Sequence, residues 1–143
     1  MPIRESDVDR NNEDRVAGII EKKFKCEAQP TETLCPYDFV CMRDGKRMAL
    51  LEVRRRNCPH DQHDALFFGR DKYRQLHQLS LGYGRIPIIF VVAFADGDFW
   101  VDLMRTPMLD ETYGSRGDNP EGGERATDNE CCVLIPVTLF RQV

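Results

Sequence analysis

Two carboxylates and one guanidinium set among apolar residues are the side chains best placed to do chemistry in this 143-residue chain. In LLEVRRRN, residues 50–57, Glu52 follows two leucines and precedes Arg54, Arg55 and Arg56. A carboxylate in a buried strand is costly unless something positive meets it. Side chains two apart share a strand face, so Glu52 and Arg54 point the same way while Val53 points opposite. Asp38, which follows Pro36 and Tyr37 at the start of the preceding apolar run, joins them only if the hairpin between has the right parity. A three-residue loop of Arg43, Asp44 and Gly45, with Gly45 left-handed, sets Asp38 opposite Leu50 and diagonal to Glu52. A two-residue Asp44-Gly45 loop sets it opposite Leu51, on the wrong face. The pairing therefore requires an odd loop or a bulge.

Two carboxylates held close repel, and a hard divalent cation between them removes the repulsion. The expected cofactor is Mg²⁺, with Mn²⁺ able to substitute, and the expected ligands are Asp38, Glu52, the backbone carbonyl of Val53 and water. Such an ion polarises a phosphodiester oxygen and acidifies an attacking water. The competing reading for Glu52 is an internal ion pair with Arg54 or Lys72, and for Asp38 a turn cap beside proline.

The elements that must hold these groups follow from periodicity. Val16, Ile19, Ile20 and Phe24 recur at three- and four-residue steps, predicting a helix from Asn11 with Asn11 or Asn12 as N-cap. YDFVCM and MALLEV read as two strands around the turn signal RDGK. RRRNCPHDQHDA is a polar loop, and LFF adds a short strand before Gly69. A second helix is expected over 70–81, with Tyr73, Leu76 and Leu79 or Ser80 facing inward and Gly82 ending it. IPIIFVVAFA is a central strand, turned by DGD into FWVDL. The Gly- and Pro-bearing residues 105–130 form a long irregular loop. CCVLIPVTLF returns to the sheet edge, where Pro136 is tolerated. The order predicts a mixed sheet with helices packed on it, an α/β (α+β) class, in one domain over residues 1–143.

The formal charge of −4 excludes a polyanion-binding surface spread over the whole chain. Residues 1–104 carry 16 Lys+Arg against 17 Asp+Glu and residues 105–143 carry 4 against 7, so the acid excess lies in the tail. Arg54, Arg55, Arg56, Arg70, Lys72 and Arg74 are left free to form a local positive surface. Six cysteines without a charged-then-apolar leader, several of them inside core-like stretches, point to a reduced, cytoplasmic setting, and no long apolar span suggests a membrane. Cys58, His60 and His63 in NCPHDQHD fit the spacing of no common zinc site and lack a fourth ligand.

Asp38, a short hairpin and Glu52-Val53-Arg54 together resemble the core motif of the PD-(D/E)XK nuclease superfamily, and in particular small phage-encoded members, down to the closing LIPVTLF. The resemblance covers residues 11–104 well and the last ten weakly. It implies a restriction-endonuclease-like core in αβββαβ order and a metal-dependent endonuclease hydrolysing DNA in phage recombination, replication or packaging. On the same ground Glu13 stands where many members carry a further acidic residue, and relatives that cut branched DNA act as homodimers. The motif lysine is Arg54 here. Lysine can lose a proton when crowded and arginine does not, so Arg54 is expected to hold the phosphate. Lys72 on the second helix would take over as a migrated lysine. Arg55, Arg56, Arg70 and Gln75 are the expected nucleic-acid contacts. Two rivals stand beside this: a DNA-binding or protein-interaction module of the same fold with catalysis lost, and an adaptor whose acidic 105–130 loop mimics nucleic acid.

Overall fold

In the computed structural model, residues 7–32, 35–115 and 129–143 are described. The first helix, α1 (Asp7–Phe24), places Val16, Ala17 and Ile20 on one buried face, with Asp7 and Asp9 at its positive end and Lys22 and Lys23 at its negative end. As described it starts at Asp7, four residues ahead of the expected Asn11, so Asn11 and Asn12 lie inside it rather than capping it. Lys25, at φ 53°, takes the left-handed conformation that ends the helix.

A short strand, β1 (Glu27–Pro30), then pairs antiparallel with β2 (Phe39–Arg43), which pairs antiparallel with β3 (Lys46–Arg55). The hairpin joining β2 and β3 closes through two residues, Asp44 and Gly45, at φ 51° and 75°. Positive φ at both positions is the primed turn that matches strand twist. The three-residue loop is thus replaced by a two-residue one, and the parity is restored elsewhere. Met42 pairs with Arg47 but Cys41 pairs with Ala49, leaving Met48 as the extra residue of a bulge. Beyond it Val40 meets Leu50 and Phe39 meets Leu51, which brings Asp38 level with Glu52.

The remaining strands complete two sheets. After β4 (Ala65–Gly69) comes α2 (Arg70–Gly82), then β5 (Ile88–Phe94) and β6 (Gly97–Asp102). β5 runs parallel to β3, is buried along its whole length, and pairs antiparallel with β6. Beyond β6 come β7 (Glu111–Ser115), β8 (Asn129–Pro136) and the two-residue β9 (Arg141–Gln142). The main sheet has the order β1-β2-β3-β5-β6-β9, and β4, β8 and β7 form a second sheet. Two expectations change here. The CCVLIP segment is the middle strand of the second sheet, and only Arg141 and Gln142 reach the main sheet's edge. The 105–130 segment contains β7, while its residues 116–128 lie outside those described.

Apolar burial occurs on both faces of the main sheet. On one, α1 packs Val16, Ala17 and Ile20 against Leu51, Val53, Ile89 and Val91. On the other, Leu50, Ile88, Phe90 and Val92 meet Leu76 of α2, Leu66 and Phe68 of β4, and Val133 and Ile135 of β8. Tyr73 and Leu79 pack at the margin of this second cluster and Ser80 is fully buried, as the helical spacing predicted. No helix among the described residues is long and apolar enough to cross a membrane, and all six cysteines are free thiols.

Gly45→Val tests the primed turn. A β-branched residue held at φ 75° is strained by about 1–2 kcal/mol, so the denaturation midpoint should fall by that equivalent.

Candidate functional site

Alternation along β3 decides what meets what. Leu50, Glu52 and Arg54 face the α2 side, and Val53 and Arg55 face the α1 side. Glu52 is 4% exposed, among the few polar residues in the core. One of its oxygens, Oε2, accepts a hydrogen bond from Lys72 Nζ at 2.5 Å, and the side chain of Lys72 stays one-third exposed. The other, Oε1, is buried with no hydrogen-bond partner among the described residues. Asp38 sits across the hairpin and accepts the Val53 amide N–H on Oδ2 at 2.8 Å.

Burial and the neighbouring Asp38 charge push the Glu52 carboxyl from its ordinary 4.5 up to about 7. Lys72 and, more weakly, Arg54 pull the other way without overcoming that penalty. Two crowded carboxylates, one with an orphaned buried oxygen, form an all-oxygen donor set that suits a hard divalent cation. Asp38 and Glu52 fit that role.

Arg54 packs against two rings and a backbone carbonyl. Its guanidinium lies over the rings of Phe68 and Phe90, 5.1 and 5.4 Å from their centroids, and Nη1 donates to the Phe67 carbonyl at 3.3 Å. Lys72, arriving from α2, is the cation on the Glu52 carboxylate itself.

The other expected residues are more scattered. Glu13 lines a cleft of about 220 Å³ with Asp9, Asn12, Val53, Arg54 and Arg55, so what it shares with the carboxylate pair is the end of β3. Arg55 is committed to Asp9 Oδ1 at 3.0 Å and to Asn57. Arg56 is half-buried, and Gln75 is exposed on α2. Arg70 pairs with Glu111 Oε1 at 3.4 Å, and Arg74 lies 4.0 Å from Oε2 of the same carboxylate. Glu111 was not anticipated, because it lies in the polar stretch read as an irregular loop. The ring stack on Arg54 was also missed, since nothing local to RRR announces Phe68 or Phe90. Among the described residues, His60 is grouped with Asp61 and Asp96 rather than with Cys58 and His63. Asp96 accepts both the His60 backbone N–H at 2.9 Å and a contact from Nδ1 at 2.7 Å, which anchors the loop.

Comparison with known proteins agrees with this architecture. A search of curated protein sequences finds no match. Among solved structures, the chain is similar to Archaeoglobus fulgidus Hjc, a Holliday junction resolvase from an archaeal hyperthermophile. The TM-score is 0.53 at 16% identity, over 90% of this chain and 89% of that one. The fold is thus restriction-endonuclease-like, with a mixed central sheet flanked by helices. A family model described as "Phage putative PDDEXK endonuclease" matches residues 1–143. With its whole length matched, the chain belongs to this phage PDDEXK endonuclease family.

Proposed function

We propose that the protein is a metal-dependent DNA endonuclease of phage DNA processing, working as a single domain in the host cytoplasm and assembling as a homodimer. The observation that carries this reading is the Glu52 carboxylate, buried beside Asp38 with one oxygen on Lys72 and the other unpartnered. Mg²⁺ or Mn²⁺ held by Asp38 and Glu52 would supply Lewis-acid polarisation of the scissile phosphodiester. Asp38 is oriented for this by the Val53 amide, which fixes its carboxylate against β3. Lys72, partly exposed at the margin of the buried pair, holds the scissile phosphate and balances the negative charge that builds on its oxygens. Arg54, stacked on two rings, braces the wall of the site and adds positive potential, while Glu13 and Arg70 act at its periphery. Water is the nucleophile. The family and the fold neighbour make four-way DNA junctions the first substrate to offer, with supercoiled plasmid beside them.

The packing of Arg54 also favours a second reading, in which the fold binds DNA or a protein without cutting, since the motif lysine position holds a ring-stacked guanidinium. Cleavage assays separate the two. With Mg²⁺ or Mn²⁺ the wild type should cut, and Asp38→Ala should lose on the order of a hundredfold or more in rate. Lys72→Ala should lose a comparable factor. Arg54→Lys should retain cutting but unfold at lower denaturant, because the stacking on Phe68 and Phe90 is what arginine supplies there. Cation binding without any cleavage would favour the second reading.

The raised Glu52 pKa gives a pH test that needs no turnover. A carboxyl whose folded value is about 7 against an ordinary 4.5 imposes no cost below the lower value and its full cost above the higher. Stability should therefore fall as pH rises from about 4.5 to 7, by on the order of 3 kcal/mol for this group. Glu52→Gln should raise the melting temperature more at pH 8 than at pH 5, and Mn²⁺ should stabilise the wild type but not the variant. A pH-independent gain, or equal stabilisation by Mn²⁺, would count against Glu52 as the ligand.

A further inference from the structure

The α1 face of the main sheet is only partly covered, and beyond the C-terminal end of α1 a cavity of about 470 Å³ opens. Its volume falls within the roughly 300–1,000 Å³ range of small-molecule sites. The floor is apolar, built from Cys41, Ala49 and Ile89, and Trp100 forms a wall, its ring held edge-on by Phe24 at 5.3 Å between centroids. Four charged residues line it: Arg43, Asp102, Arg105 and Arg141. Three guanidiniums against one carboxylate give the mouth a positive sign in a chain whose total charge is −4.

The commitments of those four residues decide which is available. The C-terminal end of α1 carries the helix's negative pole and would repel an anion, but Arg43 donates to the carbonyls of both Phe24 and Lys25 and covers it. Asp102 accepts the backbone N–H groups of Ile88 and Met104 at 3.1 and 3.0 Å and pairs with Arg105 Nε at 3.5 Å. Arg141, on the two-residue edge strand β9 beside Trp100, is exposed, and its guanidinium makes no hydrogen bond or ion pair with the described residues. An aromatic wall, an apolar floor and one uncommitted guanidinium thus converge on a single opening.

We infer that this cavity is a binding site for a small anion with a flat apolar body, its ring against Trp100 and its carboxylate, sulfonate or phosphate group on Arg141. The inference stands apart from the carboxylate pair, since the cavity shares no lining residue with Asp38, Glu52 or Lys72.

Trp100 is the only tryptophan in the chain, so its indole N–H gives one isolated peak in a ¹⁵N-correlated NMR spectrum. The full-length protein is titrated with 3-phenylpropionate and, separately, with its neutral amide. The acid should move the indole peak saturably and bind roughly tenfold tighter than the amide, the advantage of a charge-assisted contact. In Arg141→Glu the acid should lose about that same factor while the amide is unchanged, with the remaining peaks showing that the fold is retained. If neither compound shifts the peak, if the amide matches the acid, or if Arg141→Glu binds the acid as the wild type does, the inference is overturned.

Discussion

A carboxylate buried in the second strand of a hairpin, with a lysine on one oxygen and a second carboxylate across from it, is the constraint around which the rest of this molecule is arranged. Glu52 resides in a strand whose neighbours Leu50, Leu51 and Val53 are all buried, and the penalty for its charge exceeds what Lys72 and Arg54 return. A packed apolar residue at position 52 would serve stability better. In the function proposed above, that cost is borne for chemistry, which would give physical content to membership of an endonuclease family.

Placing that group takes contributions from both layers. α1 seals one face of β3 through Val53, while α2 and the second sheet enclose the other, so the carboxylate is fixed by a strand clamped on both sides. α2 follows β4 without an intervening loop, and Lys72 lies in its first turn, only a few residues from the Phe68 ring that stacks on Arg54. The two cations near Glu52 thus depend on one continuous segment. Arg54 is wedged between ring and backbone, and Lys72 keeps a solvent-facing side chain able to meet an incoming group.

Much of this was legible in the sequence because it depends on local periodicity. The spacing of Val16, Ile20 and Phe24, of Tyr73, Leu76 and Ser80, and the unbroken apolar run of β5 gave both helices and the central strand. The oddity of a glutamate after two leucines marked the buried carboxylate around which the candidate site is built. What escaped depends on long-range pairing. EAQP carries no apolar alternation and becomes β1 only because β2 offers it an edge. The allotment of LFF and CCVLIP to a separate sheet has no local signal, and with it went Phe68, one of the two rings that hold Arg54. The bulge was foreseen as a need but not as a position, since Met48 reads like the apolar residues that follow it.

That bulge makes the count of residues between Asp38 and Glu52 a geometric requirement in itself. One supernumerary methionine turns an even hairpin into one that presents both carboxylates to the same side. Substitutions along the hairpin alter contacts one at a time and are open to gradual compensation. A change of length by a single residue acts on every downstream position at once, so this segment is far more tolerant of spelling than of insertion or deletion.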